Sequence, residues 1–139
     1  MSPQHFLDTN ILVYAAAAKQ DDPEKHKIAT RLVLDERFVI SGQVLGEFYS
    51  AVRHPQHEML DINEAQNWIH RLVPFCLVHV DSPLVASAMF IKERFKIQFW
   101  DAALVVACDR LGIPTLYTED LSHRQKYGSV TAINPFKVH

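Results

Sequence analysis

The stretch FLDTNILVYAAAA, residues 6–18, goes from apolar to polar and back to apolar within a few positions. Phe6 and Leu7 read as the end of a buried strand, and Asp8-Thr9-Asn10 as its polar exit. The residues from Ile11 onward read as a helix with a buried side. A carboxylate at this junction has two readings: it caps the helix, or it serves a site that needs charge at the strand's end. The rest of the chain decides between them.

The same alternation recurs downstream. Residues 4–7 form a first short strand and 10–19 a helix, and Pro23 opens a second helix over 23–36. Phe38-Val39-Ile40 is a buried strand, followed by helices over 43–53 and 62–73 with the loop His54-Pro55 between them. Residues 76–80 are a third strand. Ser82-Pro83 then reads as N-cap and first helical position of a helix to residue 95. A helix over 99–111 stops at Gly112-Ile113-Pro114, residues 115–118 form a fourth strand, and 131–133 a weaker fifth. Such alternation predicts an α/β sandwich with a mainly parallel sheet, whose sites lie beyond the carboxyl ends of the strands.

The 139 residues show no repeat, low-complexity tract or Gly/Ser linker, so residues 1–139 read as one domain. The longest apolar run, residues 11–18, is far short of the ~20 residues a membrane span needs. MSPQHF has neither the basic patch nor the apolar core of a secretory leader, and a cytoplasmic location with no membrane partner is the expectation. Cys76 and Cys108 lie in apolar surroundings with no CxxC spacing and read as reduced, buried thiols. A net charge of −2 offers no global field for nucleic acid. If four acids are sequestered on a cation, however, the remainder carries +2, and RNA is not excluded.

Those four acids are Asp8, Glu47, Asp101 and Asp120. Asp8 closes the first strand, Glu47 lies one turn into the helix after the second, Asp101 opens a later helix, and Asp120 follows the fourth strand. A parallel sheet puts all four on one edge. Singly, each is an ordinary cap, turn or solvated residue. Yet VLGEFYSAV and FWDAALVVAC are mostly apolar segments, where an unpaired carboxylate is costly. Carboxylates at ~5 Å repel by roughly 3 kcal/mol at an effective dielectric of ~20, so four together need cations or raised pKa values. Hard oxygen donors without a thiolate point to Mg2+ or Mn2+ rather than zinc. Such an ion suits hydrolysis of a phosphodiester.

FLDTNILVYA, SGQVLGEFYSAV, FWDAALVVAC and LYTEDLSH…INPF together resemble the PIN domain, specifically the VapC-like toxins of toxin–antitoxin pairs. The likeness runs from Phe6 to Phe136 with the motifs in the family's order. It implies a three-layer α/β/α fold with a central, mainly parallel five-stranded sheet in the order 3-2-1-4-5. It also implies a Mg2+- or Mn2+-dependent endoribonuclease that inhibits translation, a homodimer, and a cognate antitoxin that fills the acidic groove. Carried over by motif, Asp8, Glu47, Asp101 and Asp120 match the family's catalytic acids. Asp8 and Asp101 would be the principal metal ligands, with Asp120 and Glu47 completing or tuning the site. Asn10 and Thr118 match positions that orient the acids or the phosphate. In TED the motif selects Asp120 over Glu119. Where many relatives carry Gly-Gln after this motif, the chain has Arg124-Gln125.

Further residues are candidates on their own chemistry. KERFK (Lys92, Arg94, Lys96) and RQKY (Arg124, Lys126) are basic patches with aromatic neighbours, able to hold RNA phosphates while Phe95 or Tyr127 stacks on an unpaired base. HPQH, residues 54–57, has zinc-like spacing, but Pro55 makes it a loop and no second ligand pair follows. Gly46, inside a helix, suggests close approach of backbone or ligand. Phe99-Trp100 reads first as core and second as an anchor between subunits. Two other functions compete. One is a non-catalytic RNA- or partner-binding module. The other is an aspartate-nucleophile phosphatase of the haloacid-dehalogenase type, which usually has a second Asp at the position of Asn10.

Overall fold

The computed structural model describes residues 3–137. In chain order the strands and helices are β1 (His5–Leu7), α1 (Thr9–Ala17), α2 (Pro23–Leu34), β2 (Phe38–Ser41), α3 (Gly42–Val52), β3 (Arg53–His54), β4 (His57–Glu58), α4 (Ile62–Leu72), β5 (Cys76–Val78), α5 (Ser82–Phe95), α6 (Phe99–Arg110), β6 (Thr115–Tyr117), β7 (Lys126–Tyr127) and β8 (Val130–Ile133). Short 3-10 turns cover Val73–Phe75 and Pro135–Lys137.

The main sheet runs β5-β2-β1-β6-β8-β7. Its first five strands are parallel and reproduce the expected order. The strand count changes: β7 adds a sixth, antiparallel strand at the edge, pairing Lys126 with Thr131 and Tyr127 with Val130. Two residues are too few to show a period of two, which is why RQKY read only as a basic patch. The expected loop at His54-Pro55 is likewise the tip of a small antiparallel hairpin, with His54 opposite His57.

The chain leaves β1 for β2 and then β5, and returns on the other side of β1 to β6 and β8. With right-handed crossovers, this reversal puts α1–α4 on one face and α5 and α6 on the other. Contacts agree: α1 packs on α2 and α3, whereas α5 packs on α6. Phe6, Leu7, Ile11, Leu12, Phe48 and Leu116 are fully buried between the layers. Helix α6 is the most enclosed, with residues 102–108 all buried, which explains why its sequence shows no polar face. The reversal leaves the carboxyl ends of β1 and β6 side by side, the place where such sheets form a cleft.

Local chemistry sets the element ends, in one place against expectation. The N-cap of α5 is Asp81, not Ser82: its carboxylate accepts from the Leu84 N–H at 3.0 Å and from both terminal guanidinium nitrogens of Arg110. An ionised cap that also reaches a cation outcompetes a hydroxyl. Helix α6 ends in a Schellman motif, with Ile113 N–H donating to the Cys108 carbonyl and Gly112 N–H to that of Asp109. Gly112 takes the left-handed conformation this needs, φ 69°. Gly46 marks no close approach: a Cβ there would meet no heavy atom within 4 Å. Both thiols are free, Cys108 buried and Cys76 half-buried, and burial pushes both up in pKa. Among the described residues no helix is long and apolar enough to cross a membrane.

Candidate active site

The β1–α1 junction answers the question raised by FLDTN: Asp8 does both jobs. It is the N-cap of α1, where Oδ1 accepts from the Thr9 N–H at 2.6 Å. Its other oxygen, Oδ2, accepts from Thr118 Oγ1 at 2.7 Å and from Asn10 Nδ2 at 3.4 Å. The carboxylate is almost wholly buried, with only 4% of the residue exposed.

Sheet geometry gathers its neighbours. Thr118 directly follows β6, and its hydroxyl donates to Asp8 while accepting from the Asp120 N–H at 3.0 Å. Asn10 bridges the same two acids, giving its second proton to Asp120 Oδ2 at 3.0 Å. Asp101, third residue of α6, completes the group from the opposite face of the sheet. One carboxylate oxygen each from Asp8, Asp101 and Asp120 lies within 4.8 Å of the others. The three range from buried through half-buried to exposed, so the cluster opens outward like a funnel.

Glu47 stands outside that group of three, exposed on α3. Thr9 Oγ1 donates to its Oε1 at 3.3 Å and Gln43 Nε2 at 3.1 Å. The same Gln43 amide donates to the Trp100 carbonyl at 3.2 Å, tying α3 to α6. Glu119 turns away altogether. Its carboxylate accepts from the Tyr14 hydroxyl at 2.5 Å and pairs with Lys25 at 3.0 Å. Asp120 is therefore the acid of TED that joins Asp8 and Asp101.

The cluster holds charge with difficulty. Burial pushes Asp8 up to about 7, opposed by its hydrogen bonds from Thr118 and Thr9 and reinforced by Asp120 and Asp101. Burial, then Asp120 and Glu47, raise Asp101 to about 6. Charges 4.8 Å apart repel by roughly 3 kcal/mol at an effective dielectric of about 20. Three converging oxygen donors, all carboxylate, fit a small hard cation that removes this repulsion. Among the described residues, one buried polar atom at the site, Asn10 Oδ1, has no hydrogen-bond partner.

The basic candidates divide. Lys96 lines a cleft of about 530 Å3 together with Asp101 and Asp120. Arg94 instead lies over the Phe95 ring and lines a separate cavity between α5, α6 and the β7–β8 turn. Lys92 pairs with Glu93, and Arg124 and Lys126 are exposed without a place in the acid cleft. Phe95 and Tyr127 pack edge to face at 5.1 Å, with Tyr127 2% exposed, so neither is the free stacking ring expected of those patches. Trp100 reverses the first reading in the other direction: it is 51% exposed rather than core. Thr9 and Gln43 join the site through Glu47 without a motif of their own; the one sequence signal is that Gln43 stands four positions before Glu47, neighbours on one helix face.

A switch-point cleft with three converging carboxylates is the arrangement expected of a PIN domain, and the PIN-domain family model matches residues 5–128. The chain belongs to the PIN domain family. Its fold is similar to that of VapC20 from Mycobacterium tuberculosis, a sarcin-ricin loop cleaving toxin, with a TM-score of 0.67 and 22% identity over 84% of this chain and 90% of that one. It is similar also to a chain of a toxin–antitoxin complex from Klebsiella pneumoniae, with a TM-score of 0.70 and 14% identity over 97% of this chain and 100% of that one. No curated protein matches the sequence.

Proposed function

We propose that the protein is a divalent-cation-dependent endoribonuclease, the toxin of a toxin–antitoxin pair, which hydrolyses RNA phosphodiester bonds and thereby inhibits translation in the cytoplasm. The observation that carries this reading is the meeting of Asp8, Asp101 and Asp120 within 4.8 Å, two of them with raised pKa values, at the open edge of a PIN fold.

Asp8, Asp101 and Asp120 are the residues that would hold Mg2+ or Mn2+, with Glu47 beside them. Such an ion, when bound, acidifies water and offsets charge growing on a phosphodiester. The chain's own residues do the rest. Thr118 and Thr9 donate to Asp8 and favour its ionised form despite burial. Asn10 holds Asp120 in register with Asp8. Glu47, oriented by Gln43 and Thr9 but outside the three, is the carboxylate we assign to accept a proton from the attacking water. Lys96 offers its charge to a phosphate in the same cleft.

An antitoxin and a second copy of the chain are the proposed protein partners. The fold shared with a chain of a toxin–antitoxin complex supports the first. Met89 and Phe90, 56% and 77% exposed on the outer face of α5, support the second. The phosphatase reading has no comparable support, because Asn10 is engaged in bridging two acids. Brief expression in cells, with the ends of cellular RNA mapped, tests the proposal: new ends at discrete sites with wild type and none with Asp8→Asn are expected. The same new ends from Asp8→Asn would rule out the role given to this acid.

A further inference from the structure

Two grooves flank the acids. One is the cleft containing Lys96, Asp101 and Asp120. The other, about 440 Å3, is lined by Gly42, Gln43, Glu47, Val80 and Trp100. Consecutive residues of the first turn of α6 line them, Asp101 the first groove and Trp100 the second.

The second groove has a built platform. Half of Trp100 is open to solvent, while Phe99 packs edge to face on its ring at 4.9 Å. Gln43 bonds the Trp100 carbonyl and Glu47 together, fixing the backbone under the indole. Those two bonds use the Gln43 Nε2 protons and leave its Oε1 as an acceptor. Gly42 adds an open floor, since a Cβ there would meet nothing within 4 Å. An aromatic ring, an aliphatic wall from Val80 and a fixed amide are the parts that take a flat heterocycle with polar edges.

We infer that this groove is a nucleobase slot, in which an unpaired base of the RNA stacks on Trp100 while its neighbouring phosphate lies at the acids. The inference rests on the ribonuclease reading and specifies its substrate: the strand is single-stranded beside the cleaved bond, because a stacked base pair offers no free face. It also orients that strand, with a base on the Glu47 side and a phosphate at Lys96 on the Asp120 side. Phe95 and Tyr127 cover each other, which leaves Trp100 as the exposed ring adjoining the acids. A second copy of the chain is the competing occupant. Glu47 in the groove wall disfavours it, since an apolar partner would desolvate that carboxylate without pairing it.

The chain has two tryptophans, and Trp68 lies half-buried among Phe48 and Arg71. Trp68→Phe therefore makes Trp100 the sole indole reporter, and adding Asp8→Asn suppresses turnover during titration. With a short, end-labelled, mixed-sequence single-stranded oligoribonucleotide, saturable quenching of Trp100 emission is expected. In polarisation, Trp100→Ala weakens binding about ten- to a hundredfold, the range for loss of base–aromatic stacking. The salt dependence stays the same for Trp100→Ala, Trp100→Phe retains most of the affinity, and Lys96→Ala lowers the salt slope by about one. Unchanged emission at saturating RNA, or unchanged affinity in Trp100→Ala, overturns the slot. So does an emission shift that follows protein concentration instead of RNA, which would assign the groove to a second copy. The ribonuclease reading is checked separately, by cleavage of the same oligonucleotide by the wild type with Mn2+: cleavage with an unchanged KM in Trp100→Ala sinks the slot alone.

Discussion

Asp8 divides its work between its two oxygens, one ending a helix and one facing other acids. That division has a thermodynamic consequence. Its pKa, raised from 3.8 to about 7, means that between those values the native state keeps a proton the unfolded chain has released. Stability from this group is full below the unfolded pKa and is lost as pH rises through the folded one. Asp101, raised to about 6, acts in the same direction. Without divalent ions, thermal unfolding should show the wild type weakening from about pH 4 to about pH 7. Asp8→Asn, which carries no such proton, should lose several kcal/mol less over that range, about 1.4 kcal/mol for each pH unit between 3.8 and about 7. Adding Mn2+ should restore the wild type and leave Asp8→Asn unmoved. Equal pH profiles for the two proteins would show that Asp8 is not held against its charge.

At the scale of elements, backbone conformation unites two positions that the sequence sets apart. Gly112 at φ 69° closes the Schellman turn of α6, and Gly112→Ala should cost about 1 kcal/mol in denaturant unfolding. Arg124, a residue with a Cβ, holds the same left-handed conformation, φ 69°. Arg124→Gly should therefore raise stability by about 1 kcal/mol. A loss there would mean that the arginine side chain makes up the difference. The parallel strands were legible because each is an apolar run next to a helical pattern. Strands β3, β4 and β7 were not, since two-residue strands have no period and their pairing is set by distant partners. The N-cap of α5 was misread because the choice between Asp81 and Ser82 depends on Arg110, far along the chain. Among candidate site residues, Asp8, Asp101, Asp120, Asn10 and Thr118 stand together in space. Their signal was position at strand ends and helix beginnings. The stacking partners were misjudged because exposure belongs to tertiary structure: Tyr127 is buried by Phe95, while Trp100 stands open despite an apolar neighbourhood.

For the molecule as a whole, topology makes the site and surface chemistry makes the partners. Reversal of the strand order between the parallel neighbours β1 and β6 brings acids 112 positions apart in sequence, Asp8 and Asp120, to one cleft. The outer face of α5 presents Val85, Met89 and Phe90 to solvent, an apolar strip that a proposed dimer would cover. Sedimentation equilibrium should find a dimer that Phe90→Asp converts to monomer, and a wild-type monomer would remove this interface. The claim beneath all of these is that the acids assemble a metal-dependent phosphodiesterase. Its most direct test is cleavage of end-labelled single-stranded RNA by purified wild type, Asp8→Asn and Asp101→Asn, each shown by circular dichroism to be folded. Cleavage by the wild type with Mn2+ or Mg2+, halted by EDTA and lost by at least a hundredfold in both variants, is the expected result, in line with the scale of removing charge stabilisation at a reacting centre. Wild-type activity that survives EDTA, or a folded Asp8→Asn protein as active as the wild type, would contradict it.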